Sequence, residues 1–216
     1  MGKLIIIEGL DGSGKSTQAE LLSGKIEDAR FIAFPDYESL SGKIIKEYLN
    51  GLYTGLNEPD SAFAASSFYA VDRYISYKTD WAKDYLTGKN IISARYTCSN
   101  LIYQMAKLPR EKWDEYHGWL HDFEHVKLGL PASDTVIFLD MPLEISQELL
   151  TKRYERGQGG KDLHEADMDF LKKCKQASEY AAEKDNWIVI NCARGNKPRE
   201  IEEINEELLK TVKNII

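Results

Sequence analysis

Gly9-Leu10-Asp11-Gly12-Ser13-Gly14-Lys15-Ser16 is a glycine-rich turn that closes on a lysine and a hydroxyl, and it follows the apolar run Leu4 to Ile7. The spacing G-x-x-x-x-G-K-[ST] between a strand and a helix is the pattern of a phosphate cradle. Glycines let successive backbone N–H groups turn inward, and a helix N-terminus adds partial positive charge. A triphosphate can then be held largely by the main chain of Gly9, Gly12, Ser13, Gly14, Lys15, Ser16 and Thr17. Lys15 is placed to neutralise the outer phosphates and Ser16 to ligate Mg²⁺. Asp11 is out of keeping with an anion site. A carboxylate there is costly unless it serves a cation or a sugar hydroxyl, so it points to a second ligand beside the nucleotide. The cradle alone leaves ATPase, GTPase and kinase open. The guanine-reading tetrapeptide Asn-Lys-x-Asp is absent from the chain, which removes GTPase.

Such a cradle needs a sheet edge behind it. Short apolar runs recur at Lys3 to Ile7, Arg30 to Ala33, Asn90 to Ser93, Thr135 to Leu139 and Trp187 to Ile190, separated by longer helical patterns. Runs that are continuously apolar suit strands covered on both faces, so the expected fold class is α/β, a three-layer α/β/α sandwich with a five-stranded parallel sheet. Helices are expected over Lys15 to Lys25, Ser41 to Leu49, Asp60 to Leu86, Glu144 to Arg153 and Pro198 to Ile216, the last with Ile201, Ile204, Leu208 and Val212 on one side. Tyr154 to Asp162, with three glycines among charges, reads as a mobile surface loop.

The 216 residues carry 35 acidic and 28 basic side chains, a net charge of −7, with the basic ones scattered, so no footprint for a nucleic-acid backbone is visible and any phosphate ligand is small. No apolar run approaches the roughly 20 residues of a membrane helix. Met1-Gly2-Lys3 leads directly into the first strand, from which a cytoplasmic location is expected. Cys98, Cys174 and Cys192 are three widely spaced thiols, suggesting neither disulfides nor a zinc site.

Beyond the cradle, the sequence resembles the thymidylate kinase family over nearly its whole length. Ile7 to Thr17 look like that family's form of the P-loop. Phe34-Pro35-Asp36-Tyr37 is similar to its element touching the acceptor phosphate, Ala70-Val71-Asp72-Arg73 to the helix whose arginine faces the thymine, and Arg95 to Asn100 with Tyr103 to the stretch holding monophosphate, base and sugar. Lys127 to Pro131 is also familial. The resemblance implies a P-loop kinase fold, a homodimer, and ATP-dependent phosphorylation of dTMP. In that reading Arg95 forks a phosphate, Arg73 and Asn100 contact the base, Tyr69 stacks on it, Ser99 lines the site and Tyr103 crowds the sugar 2′ position. Each of these also has an ordinary structural alternative. The basic loop at about 152–162 would be the lid of a single domain spanning 1–216. With no arginine inside the P-loop, Arg153 and Arg156 are the expected sources of charge on the transferring group. Arg194, after the last strand, is the candidate for the adenine, and Glu165 for the metal.

Two positions depart from the family pattern. Ser93-Ala94-Arg95 has alanine where an aspartate is usual, removing a carboxylate that Glu8, Asp11, Asp36 or Glu165 would have to replace. Asp36 puts negative charge beside the expected acceptor phosphate, unless it faces solvent. These changes keep two further readings open: a kinase for another deoxynucleotide or deoxynucleoside, and a nucleotide-binding protein with impaired catalysis.

Overall fold

Five apolar segments pair as parallel strands in the order β2-β3-β1-β4-β5. They are β1 (Leu4–Glu8), β2 (Ala29–Ala33), β3 (Asn90–Ala94), β4 (Thr135–Asp140) and β5 (Ile188–Asn191). The computed structural model describes residues 1–53, 61–157 and 167–216. Each β1 side chain is buried, as a central strand covered on both faces requires. Leu4, Ile6, Ile91, Val136 and Phe138 face one apolar layer, with Trp81, Tyr96, Leu101 and Cys174. Ile5, Ile7, Ile92, Ala94, Ile137 and Leu139 face the other, with Ala19, Leu22, Ile204 and Leu208. The result is the expected three-layer sandwich.

The helices are α1 (Lys15–Ser23), α2 (Leu40–Leu49), α3 (Ala62–Ser76), α4 (Ala82–Leu86), α5 (Cys98–Tyr103), α6 (Trp113–His121), α7 (Leu143–Glu155), α8 (Met168–Lys184) and α9 (Ile201–Lys213). The segment expected as one helix to Leu86 runs from α3 through a π-helical turn, Tyr77–Trp81, into α4. A second π turn, Asp122–Lys127, extends α6. The last helix starts at Ile201 and not at Pro198. Lys197 and Pro198 pair instead with Ala193 and Arg194 as a small hairpin, β7 on β6.

Local chemistry explains the starts of these elements. Gly14 caps α1 at φ +83°, a left-handed angle that glycine adopts without a Cβ clash. The Ser39 side chain accepts from the Gly42 N–H at the head of α2. A Cβ on Gly42 would lie 1.8 Å from the Asp36 carbonyl oxygen, so glycine is what lets α2 press against the turn after β2. Asp167 caps α8 by accepting from the Asp169 and Phe170 N–H groups. The expected loop at 152–162 begins inside α7, which continues to Glu155; Lys161, His164 and Glu165 lie outside the described residues. Among the described residues, no helix is long and apolar enough to cross a membrane.

Because β1 has β3 on one side and β4 on the other, the order of connections reverses beside it. Open α/β sheets bind ligands outside the carboxyl ends of their strands at such a point. The glycine-rich turn follows β1 there.

Candidate active site

A cavity of about 1090 Å³ opens above the carboxyl ends of β1, β2 and β3 and is lined from Asp11 through Gln18 on one side. Gly12 is required twice over: its φ is +82°, and a Cβ would meet the Ser146 carbonyl oxygen at 2.4 Å. Lys15 is buried, with Nζ donating to the Leu10 carbonyl at 3.3 Å and to Asp11 Oδ1 at 3.2 Å. Burial and the neighbouring Arg95 cation pull its ammonium down from the usual value, against Asp11 and Glu8. Ser16 and Thr17 are exposed at the head of α1 and line the cavity. The Ser16 hydroxyl beside the cradle suits a Mg²⁺ that keeps several waters and takes further oxygens from bound phosphates. Among the described residues, no three His, Cys, Asp or Glu side chains are grouped to hold a metal by themselves.

Asp11 joins the two cations that the sequence offers to phosphates. Its carboxylate accepts from Lys15, from Arg95 Nη2 and, at 2.8 Å, from the Tyr103 hydroxyl. Burial alone would push this carboxyl up, but Arg95 and then Lys15 outweigh it and hold the group well below the usual carboxylate range. A depressed folded-state value means that its contribution to stability is complete above about pH 4 and is lost only as the pH falls toward that value. Arg95 lies over the Tyr103 ring at 5.0 Å, and its Nη1 is 3.8 Å from Glu8 Oε1. Glu8 is fully buried and accepts from the Ser99 hydroxyl at 2.5 Å, the Cys98 thiol at 3.4 Å and the Gly9 N–H at 3.0 Å.

The other side of the cavity holds Phe34, Pro35, Tyr37, Tyr69, Arg73, Ser99, Asn100 and Tyr103. Phe34 packs on Tyr96 at 6.0 Å between ring centroids, and the Phe34–Pro35 bond is cis. Tyr69 meets Tyr48 edge-on at 6.4 Å. Asp36 stays out of the cavity: it is exposed, and its carboxylate accepts from the Glu38 N–H within its own turn.

Residues 7–207 match the family model described as thymidylate kinase. The chain belongs to the thymidylate kinase family. It is 30% identical over 197 residues to the thymidylate kinase of Mycobacterium tuberculosis strain H37Rv, covering 87% of this chain and 90% of that one. It is 31% identical to the Dictyostelium discoideum thymidylate kinase, over 96% of this chain and 83% of that one. A solved thymidylate kinase from Candida albicans superposes with a TM-score of 0.74 at 27% identity, over 99% of this chain and 92% of that one. Membership makes the chain a nucleoside monophosphate kinase of the thymidylate kinase type.

Within this family member, several residues make contacts that sequence alone did not suggest. Arg73 forms a buried two-point pair with Glu124, Nε to Oε2 at 2.7 Å and Nη2 to Oε1 at 2.5 Å, and donates to the Tyr96 carbonyl at 3.3 Å. The Asn100 amide also donates to Glu124 Oε1, at 3.2 Å, and to the Ser66 carbonyl at 3.4 Å. Asp72 faces the other way, accepting from Ser41 at 2.7 Å and from the Asp36 N–H at 3.0 Å, so it ties α2 and the turn after β2 to α3.

Gln104 borders the same cavity, fully buried, with neither its amide nitrogen nor its oxygen hydrogen-bonded among the described residues. Arg153, on α7, reaches the cavity, whereas Arg156, at the end of that helix, is exposed and outside its lining. Arg194 is also outside: it is exposed and pairs with Glu203, while Arg199, after the hairpin, borders the cavity beside the P-loop helix.

Ala94 is 2% exposed and belongs to the apolar layer under α1, with Ile7 and Ala19. Glu8 alternates onto the opposite face, where Cys98 and Ser99 hold it, so it does not occupy the space a carboxylate at position 94 would take.

Proposed function

We propose that the chain phosphorylates dTMP to dTDP with ATP as donor. An oxygen of the dTMP phosphate attacks the γ-phosphorus of ATP in line, the bond from that phosphorus to the β-bridging oxygen breaks, and ADP leaves. No general base is needed, so the protein's work is alignment and charge. The observation that carries this reading is that Lys15 and Arg95, one buried and one partly exposed cation from different strand ends, are bridged by Asp11 inside one cavity. Anionic ligands arriving on the two sides would take over the donors that Asp11 now holds. Lys15 and the cradle N–H groups hold the triphosphate. Arg95 and Tyr37 hold the acceptor phosphate, and Ser16 would ligate a Mg²⁺ that offsets charge on the donor phosphates. Asp11, released, serves the sugar hydroxyl or the metal's waters. Arg153, reaching in from α7, supplies charge as the transfer proceeds, with Arg156 joining it from the end of the helix.

For the base, Arg73 presents its guanidinium with Glu124 fixing its orientation, Tyr69 offers a ring face, and Asn100 and Gln104 offer amides. Gln104→Met is expected to lower kcat/KM for dTMP about 10-fold, the size of one neutral hydrogen-bond pair, while leaving or raising Tm, because the buried amide has no partner to lose. Steady-state kinetics beside a melting curve reads both.

On this reading the alanine at position 94 slows the transfer. One missing charge-assisted contact is worth about 1.5–3 kcal/mol, or about 10- to 150-fold in turnover. Ala94→Asp is therefore expected to raise kcat while lowering Tm, because the new carboxylate enters a layer shared with Ile7 and Ala19; an unchanged or lower rate contradicts this account of the alanine.

A homodimer fits the surface. α3 leaves Val71, Tyr74 and Ile75 exposed, and α2 beside it leaves Leu40 and Ile44, whereas Phe63, Phe68 and Tyr77 turn inward onto other aromatic rings. The whole reading is tested by coupled ADP release with a panel of acceptors. It predicts turnover with dTMP and background rates with CMP, dGMP or no acceptor. Turnover on a different deoxynucleotide or on a deoxynucleoside assigns the acceptor otherwise, and binding of both nucleotides without turnover assigns a non-catalytic role.

A further inference from the structure

Arg95 is one of three non-glycine residues, among those described, with a left-handed backbone, at φ +68°. Side chains disfavour that region, so such a residue persists only where its surroundings over-determine it. The local contacts do so. Its N–H donates to the Ile7 carbonyl at 3.2 Å, continuing the β1 ladder one residue past the end of β3. The hydroxyl of Ser93, fully buried in β3, donates to the Arg95 carbonyl at 2.6 Å. That bond fixes the peptide plane leaving Arg95, and Arg73 holds the next carbonyl, that of Tyr96. With N–H and carbonyl both pinned, the side chain leaves the strand end toward Asp11.

We infer that Ser93 is a positioning residue for phosphoryl transfer: its hydroxyl locks Arg95 in the left-handed conformation that aims the guanidinium at the acceptor phosphate. The inference rests on the reading that Arg95 binds that phosphate. It extends it, because nothing in the role of Arg95 requires the residue two positions earlier to be a hydroxyl. Without this bond the plane is free to rotate. The guanidinium then samples positions displaced from the phosphate, and misplacement of a binding group by about 1 Å costs up to roughly 100-fold.

The test is a double-mutant cycle read in dTMP affinity, measured calorimetrically in all four proteins, with acceptor kinetics beside it. Ser93→Ala removes one oxygen atom and creates no bulk, so the fold is retained, and a melting curve on each variant checks this. The expected result is a fall of about 10-fold in kcat/KM for dTMP, carried by KM, with the KM for ATP unchanged within twofold. Ser93→Cys, a weaker donor of similar size, falls between. In an Arg95→Ala background, Ser93→Ala is expected to change dTMP affinity, measured calorimetrically, by less than twofold, since there is no guanidinium left to aim. An equal effect in both backgrounds makes Ser93 merely structural and overturns the proposal, as does an effect below twofold in the unmodified chain. If Arg95→Ala itself leaves dTMP binding unchanged, the phosphate role of Arg95 fails instead.

Discussion

Arg95→Ala is expected to lower kcat/KM for dTMP by about 30- to 4,000-fold while the KM for ATP stays within a few-fold, as steady-state kinetics with each substrate varied would show. The range follows from truncating one partner of a buried, hydrogen-bonded charge pair, about 2–5 kcal/mol, at 1.4 kcal/mol per factor of ten. Arg95 is suited to an effect of this size because its side chain is only 17% exposed and already carries Asp11 and Tyr103 as partners. A guanidinium so confined is oriented before the phosphate arrives, so little ordering remains to be done on binding. Removing it leaves Asp11 with Lys15 and Tyr103, which keeps the donor side intact. A loss shared equally between the two substrates would mean that Arg95 supports the cradle and not the acceptor.

The second large effect is on stability. Arg73→Met is expected to destabilise the protein by about 3–5 kcal/mol, because the Glu124 carboxylate, fully buried, keeps only the Asn100 amide as a partner among the described residues. For a chain of this size that is a fall of about 6–20 °C in Tm. Arg73→Met combined with Glu124→Leu is expected to regain most of the lost stability, since a buried pair exchanged for apolar side chains of similar volume is often neutral. The double variant should not regain dTMP turnover, because Arg73 borders the cavity. Thermal melts of the three proteins check the first two statements and acceptor kinetics the third. Recovery of both properties would confine Arg73 to a structural role.

These two arginines show where sequence reading reaches and where it stops. The place of Arg95 at the cavity is legible because a position just beyond a strand is a local property, and parallel strands carry ligands at that edge. The partner of Arg73 was not legible, because Glu124 is 51 residues away on a π-helical turn with no local signature. The strands stood out because Leu4 to Ile7 and Val136 to Leu139 are uninterrupted apolar runs. Helix α8 did not, since the face it buries, Leu171, Cys174, Ala177, Ser178 and Ala181, is made mostly of small residues. Arg194 is suggested by its nearness to the last strand. The two-residue strands of the hairpin, too short to show a period, turn Arg194 outward and bring Arg199 to the cavity instead. Gln104 gave no signal because an unpaired buried amide is visible only once its surroundings are known.

The central claim is that one cavity binds both anions at once, a triphosphate on the cradle and a pyrimidine monophosphate on Arg95. Calorimetric titration with a bisubstrate compound, adenosine and thymidine joined through five phosphates, tests it most directly. The account predicts one molecule bound per chain, displaced competitively by ATP and by dTMP alike, with affinity reduced by Lys15→Met and by Arg95→Ala. Displacement by only one of the two nucleotides, or an affinity indifferent to Arg95, would contradict it.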